Sequence, residues 1–338
     1  MTVMRFPGTA GTYNVMTSGA GQLIAALDIS IALNGWSKVY DNGSNTVVYQ
    51  STDVSTHQRY IQVKDTENYI AEIRGYRFMT DAITGTQSFP NANDTTVLYI
   101  VKHDSVFTQP SKRWAVVCDA SVFYLWIDPD SNTTPTNPPN AGMYCFGDFV
   151  TRKADEIYNT IIIGATGTPA GVAPNRTLST GFENFHLIAN FRSGNFPWYA
   201  MQGHYAAGSL MPTGKSPFYN ATYRYGIGKH SDVRKPGGSQ GTIGTSGIPY
   251  PNPMFSATRL SMGPTYLTEA FAYQIGGAVR ACLRGTLQGI WSPLHTKPIP
   301  HGDVFQGDGL TVSGTREFEA FNLLSGQVMI ETSDTWYT

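Results

Sequence analysis

Trp114-Ala115-Val116-Val117-Cys118-Asp119-Ala120-Ser121-Val122-Phe123-Tyr124-Leu125-Trp126-Ile127 is the stretch on which the reading of the fold turns. Two runs rich in β-branched and aromatic residues flank an Asp-Ala-Ser break, the pattern of two strands joined by a tight turn. Such side chains fit a pleated, half-buried surface.

Upstream the same period of two continues. In Arg59-Tyr60-Ile61-Gln62-Val63-Lys64, Ile61 and Val63 share one face while Tyr60, Gln62 and Lys64 share the other. Asp65-Thr66-Glu67-Asn68 reads as a turn, after which Tyr69, Ala71 and Ile73 alternate with Ile70, Glu72 and Arg74. Val97-Leu98-Tyr99-Ile100-Val101 is apolar on both faces and suits the middle of a sheet. Downstream, 158–163 and 186–191 read as short strands, and Glu317 and Glu319 interleave with Phe318 and Ala320 before Val328 and Ile330 repeat the pattern. Residues 267–283 contain Gly276-Gly277, which suits two strands and a turn better than an undisturbed helix. The expected fold class is mainly β, with two β-sandwich-like domains, one N-terminal helix and long Gly/Pro-rich loops.

The helix is expected after Ser18, where Leu23, Ala26, Leu27 and Ile31 recur at helical spacing and Ile24 widens the stripe. Ser18 or Thr17 supplies a candidate cap, Asn34-Gly35 a stop, and Trp36 a residue to fold back on the helix end. Such a helix packs either on its own domain's sheet or on a neighbouring subunit. The expected organisation is an N-terminal segment with a docking helix (1–34), a first β-domain (35–165), a linker (166–181) and a second β-domain with long loops (182–338). Further Pro-, Gly- and polar-rich loops fall at 128–140 and 235–253.

Composition narrows the function classes. Only 14% of the 338 residues are charged, against about 25% in an ordinary globular chain. Charge keeps folded surfaces apart in solution, so a chain rich in Ser, Thr, Asn and Gly, with 19 Tyr and 17 Phe, suits a surface covered by other subunits. The net charge is −1 and the 23 Lys and Arg are scattered, so no nucleic-acid partner is expected. Cys118, Cys145 and Cys282 form neither a zinc spacing nor a disulfide framework. Residues 1–17 lack the order of a signal peptide, and the apolar run 23–33 is too short for a bilayer, so no membrane insertion is expected.

Catalytic and ligand motifs are sparse. Gly237-Gly238-Ser239-Gln240-Gly241 matches the nucleophile-elbow formula but lacks the flanking strand and helix that strain the serine into position. Asp128-Pro129-Asp130-Ser131-Asn132 opens like a calcium loop, yet Thr133 and Pro139 stand where the EF-hand requires Gly and Glu. His295, His301 and Asp303 share a loop with no regular ligand spacing. Carboxylate pairs for glycoside hydrolysis, Asp148 with Asp155 or Glu183 with Asp232, have no pattern to single them out. No catalytic residue, cofactor or metal ligand is therefore expected. The candidate interface residues are Leu23, Leu27, Ile31 and Trp36 around the helix, with Trp198, Tyr199 and Tyr205, because aromatic side chains anchor protein interfaces or stack on sugars.

Several segments carry a family likeness: Gly35-Trp36-Ser37-Lys38-Val39-Tyr40, Arg74-Gly75-Tyr76 leading to Asp81, and Phe146-Gly147-Asp148-Phe149. Two more are the run 283–295 around Gly289-Ile290-Trp291 and the ending Glu331-Thr332-Ser333-Asp334-Thr335-Trp336. In these the chain resembles tail- or baseplate-associated structural proteins of tailed bacteriophages. The resemblance implies a non-enzymatic virion subunit, assembled in the bacterial cytoplasm into a symmetric tail, with copies of itself and other tail or baseplate proteins as partners. A host-surface receptor or glycan is a further partner, with a receptor- or glycan-binding tail protein or a tail-borne glycan hydrolase as the alternatives.

Overall fold

A computed structural model describes residues 2–53, 58–89, 98–102, 112–128, 142–151, 159–166, 198–200, 225–228, 262–275, 278–293, 300–307, 316–323 and 326–336. Within them the chain is mainly β, with antiparallel sheets and a single short α-helix. The N-terminal elements are β1 (Met4–Phe6), β2 (Asn14–Met16), α1 (Gln22–Asp28) and a 3-10 turn (Ile31–Leu33). Then come β3 (Trp36–Asp41), β4 (Thr46–Ser51), β5 (Tyr60–Lys64), β6 (Ile70–Met79), β7 (Gly85–Phe89) and β8 (Leu98–Val101). The quoted hairpin is β9 (Lys112–Cys118) with β10 (Val122–Asp128), followed by β11 (Gly142–Asp148), β12 (Val150–Thr151), β13 (Thr160–Ile163) and β14 (Ala165–Thr166). The later strands are β15 (Trp198–Ala200), β16 (Tyr225–Gly228), β17 (Met262–Ile275), β18 (Ala278–Pro293), β19 (Val304–Gly307), β20 (Arg316–Leu323) and β21 (Gly326–Glu331).

These strands make three sheets. The central sheet runs β1-β9-β10-β11-β13-β15, with β2 also on β9; the helix-side sheet runs β14-β8-β6-β5-β4-β3, with β7 on β6; and the C-terminal sheet runs β16-β17-β18-β21-β20-β19, with β12 on β18. The β9–β10 register pairs Cys118 with Phe123 and Trp114 with Ile127, as the sequence pattern requires. β17 and β18 pair from Met262 and Pro293 to Ile275 and Ala278, around the two glycines.

The central sheet is buried on both faces, and its alternation divides two cores. Trp114, Val116, Cys118, Phe123, Leu125, Ile127, Tyr144, Phe146 and Ile162 pack with α1 and the helix-side sheet. The residues between them, among them Val117, Tyr124, Trp126, Cys145 and Ile163, pack with Leu287, Ile290, Phe321, Val328, Ile330 and Trp336 of the C-terminal part. Complete burial of one large apolar side chain contributes about 1.5–3 kcal/mol, so two such faces hold the three sheets together.

This layering bears on the expected organisation. The segment 1–34 supplies β1 and β2 to the central sheet and α1 to its neighbouring core. The segment 166–181 lies almost wholly outside the described residues, but β12, in the first expected domain, pairs with β18 of the second. Strand 186–191 also lies outside them. Among the described residues no helix is long and apolar enough to cross a membrane.

Helix α1 is shorter than its apolar stripe suggests, and neither Ser18 nor Thr17 caps it. Gly21 holds the N-cap position without a side-chain bond. Instead the Asp65 carboxylate, from the turn after β5, accepts the backbone N–H of Leu23 at 2.7 Å and of Ile24 at 3.3 Å. Leu23, Leu27 and Ile31 are fully buried in their own chain's core, so the stripe packs on its own domain, the first of the two packing alternatives. Trp36 shares that core and enters between sheets, with its ring edge on Phe123 and Phe146 at 5.3 and 5.6 Å and its Nε1 donating to the Asp119 carbonyl at 2.9 Å. Gly35 permits that entry: its φ is +82°, and a Cβ there would stand 2.4 Å from Ala120.

Trp36→Ala is expected to lower stability by about 3–5 kcal/mol, because it removes a buried ring and leaves the Asp119 carbonyl without its donor. Denaturant unfolding of both proteins, followed by near-ultraviolet circular dichroism, measures the difference.

Candidate functional site

In a chain poor in charge, the buried charges mark the positions that matter most. One cluster forms where the segment between β1 and β2 reaches across to the C-terminal sheet. Arg5, on β1, makes a two-pronged ion pair with Glu319 of β20, Nε to Oε2 at 2.5 Å and Nη2 to Oε1 at 2.7 Å. Its guanidinium also donates to the carbonyls of Thr12, at 2.8 Å, and Pro7. Glu319 Oε1 accepts further bonds from the Gly11 backbone N–H at 3.0 Å and the Tyr13 hydroxyl at 3.2 Å. Both charged side chains are almost fully buried, at 5% and 0% exposure. A buried charge is tolerated when it is paired and its remaining hydrogen-bonding capacity is filled, and this pair meets both conditions.

Beside it stands a stack of rings. His301, Tyr13 and Trp126 are in mutual contact, with His301–Tyr13 centroids 5.0 Å apart, His301–Trp126 4.5 Å and Tyr13–Trp126 4.9 Å, and the edge of Phe321 lies 5.9 Å from His301. Arg113 reaches over Tyr13 and Trp126 and is held by Asp128, Nη2 to Oδ2 at 2.5 Å. Burial, with the positive charges of Arg113 and Arg5 nearby, pushes the His301 imidazole down to about 3. Burial, reinforced by Glu319, raises the Tyr13 phenol well above its ordinary range. Both rings therefore stay neutral at ordinary pH, and neither is poised for proton transfer near pH 7.

Two more buried ties follow the same pattern. Lys102, after β8, contacts Asp65 Oδ1 and donates to the carbonyls of Gly19 and Glu67 at 2.7 Å each. Arg59 pairs with Asp148 of β11 at 2.7 Å and donates to Ser51 Oγ at 2.8 Å, while Asp148 Oδ1 accepts the Thr160 hydroxyl at 2.7 Å. The Arg59–Asp148 pair joins the helix-side and central sheets, and Arg5–Glu319 joins the central and C-terminal sheets. Charge is used here as internal cross-bracing.

The sequence-based candidates fall differently. Trp198 and Tyr199 lie on β15, where their backbones pair with Ile163 and Ile162; Tyr205 lies outside the described residues, as do His295, Asp155, Glu183, Asp232 and the serine of the elbow formula. Of the loop histidine cluster, His301 is buried and Asp303 exposed. Asp128 is a buried partner of Arg113, while the rest of the calcium-like run lies outside the described residues. Among the described residues no group of three or more His, Cys, Asp or Glu could hold a metal ion. Cys118 and Cys145 are free and buried, and burial pushes the Cys118 thiol up to about 12. Sequence reasoning passed over Arg5, Tyr13, Arg59, Lys102 and Glu319. The available signal was a charge set inside an apolar strand, as in Met4-Arg5-Phe6 and Phe318-Glu319-Ala320.

Glu319→Leu alone leaves the Arg5 guanidinium buried without its counter-charge and is expected to cost about 3–5 kcal/mol, whereas the double variant Arg5→Met/Glu319→Leu costs markedly less; urea titration of the three proteins separates the two. His301 gives a pH signature. Its folded-state pKa lies below the ordinary 6.5, so the unfolded chain takes up the proton first and the imidazole's contribution is complete above pH 6.5 and lost as pH falls toward about 3. His301→Gln should flatten the fall in melting temperature across that window, as thermal scans at stepped pH would record. No protein-family model matches the chain and no curated protein matches it, so its function is argued from these residues.

Proposed function

We propose that this chain is a structural subunit of a bacteriophage tail, at the baseplate or tail tip, that holds neighbouring tail proteins in a symmetric assembly. The observation that carries the reading is the use of its scarce charge. The Arg5–Glu319 and Arg59–Asp148 pairs lie inside the protein and brace its layers, and Lys102–Asp65 is buried between the helix-side sheet and the start of α1, which accords with a weakly charged exterior suited to being covered by neighbours. In this reading the molecule consists of two sandwich-like units sharing the central sheet, and the Gly/Pro/Thr-rich segments reach toward adjoining subunits. Its partners are copies of itself and other tail or baseplate proteins, its place is the virion, and it works by geometry and without catalysis.

The docking role expected of the N-terminal helix passes to other side chains of the same segment. Ile29 and Leu33 point outward, 48% and 69% exposed, four residues apart, and Val15 on β2 is 64% exposed. Trp198, Tyr199 and Tyr205 remain proposed contacts in the later half.

Ile29→Asp/Leu33→Asp should leave the melting temperature nearly unchanged, because exposed positions shift stability by only about 0.5 kcal/mol, while the protein drops out of assembled particles. Peptide mass spectrometry of purified virions from a complemented deletion strain reads this directly. Absence of the wild-type chain from mature particles, or its turnover of an envelope glycan, would overturn the proposal.

A further inference from the structure

The Lys102–Asp65 contact has the arrangement of a reactive pair as well as of an ion pair. Both side chains are wholly buried, at 0% exposure. Lys102 Nζ touches Asp65 Oδ1, and the carbonyls of Gly19 and Glu67, 2.7 Å away, fix its position. The other carboxyl oxygen, Oδ2, is held by the backbone N–H groups of Leu23 and Ile24 at 2.7 and 3.3 Å. An amine, a carboxyl carbon and two N–H donors on the non-bridging oxygen are the components an acyl substitution needs.

We propose that Lys102 and Asp65 are a self-crosslinking site, at which Lys102 Nζ condenses with Asp65 Cγ to form an intramolecular isopeptide bond. The step balances without any co-reactant. The ammonium first gives a proton to Oδ1, leaving a neutral amine and a carboxylic acid. Desolvation favours that exchange, since burial lowers Lys102 and raises Asp65 from their ordinary values. The Nζ lone pair then attacks Cγ while the carbonyl electrons move to Oδ2, where the two N–H donors stabilise the negative charge. A second proton passes from nitrogen to Oδ1, the Cγ–Oδ1 bond breaks, water leaves, and Oδ2 regains its double bond. The amide keeps one N–H for the Gly19 or Glu67 carbonyl. Removal of two buried charges and release of one water draw the reaction toward the amide, and folding alone brings together residues 37 apart in sequence. The inference does not depend on the proposed virion role.

The test is mass spectrometry of the full-length folded protein. The expected intact mass is lower than the sequence mass by one water, and trypsin should release a branched species joining residues 65–74 to residues 78–112, because the amide blocks cleavage after Lys102. Lys102→Arg should restore the full mass and give the 65–74 peptide unbranched. Recovery from wild-type protein of the full intact mass, with 65–74 free and normal cleavage after Lys102, would overturn the proposal. That reading uses the wild-type chain only and so does not depend on whether a variant folds.

Discussion

A sheet that is apolar on both faces cannot exist without two covers, and the rest of the molecule follows from that constraint. β10 and β11 are buried at every position, so one set of alternate side chains needs the helix-side sheet and the other needs the C-terminal sheet. The antiparallel sheets of ordinary sandwiches keep one wet face; β10 and β11, at the centre of this sheet, keep none. The third layer is thus a requirement of composition at 114–127 and 142–148.

Local features of this architecture were legible in the sequence, and distant ones were not. The β9–β10 hairpin and the β17–β18 pair could be read because each depends on a turn and on residues close by. The short helix could be located but not its cap, since Asp65 lies 42 residues from the Leu23 N–H it accepts. Alternation at 317–320 showed the strand but not that Glu319 is buried, because the Arg5 that pairs with it stands 314 residues away. The helix stripe could be read as a pattern but not for what covers it: Leu23, Leu27 and Ile31 lie in the chain's own core, while Ile29 and Leu33 turn outward.

The buried ion pairs have a different character from the apolar faces. Apolar packing is tolerant of small sliding between layers, whereas a bidentate Arg–carboxylate pair has one acceptable geometry. Arg5–Glu319 therefore sets how the C-terminal layer sits on the central sheet more than how tightly it adheres.

The order of the layers also has a kinetic side. Leu287, Ile290, Phe321, Val328, Ile330 and Trp336, which cover Val117, Tyr124 and Trp126, lie far downstream of them. During translation the hairpin leaves the ribosome long before its second cover has been made, and an uncovered aromatic surface of that kind recruits chaperones or aggregates. Yield of folded protein is thus expected to depend on elongation speed and temperature.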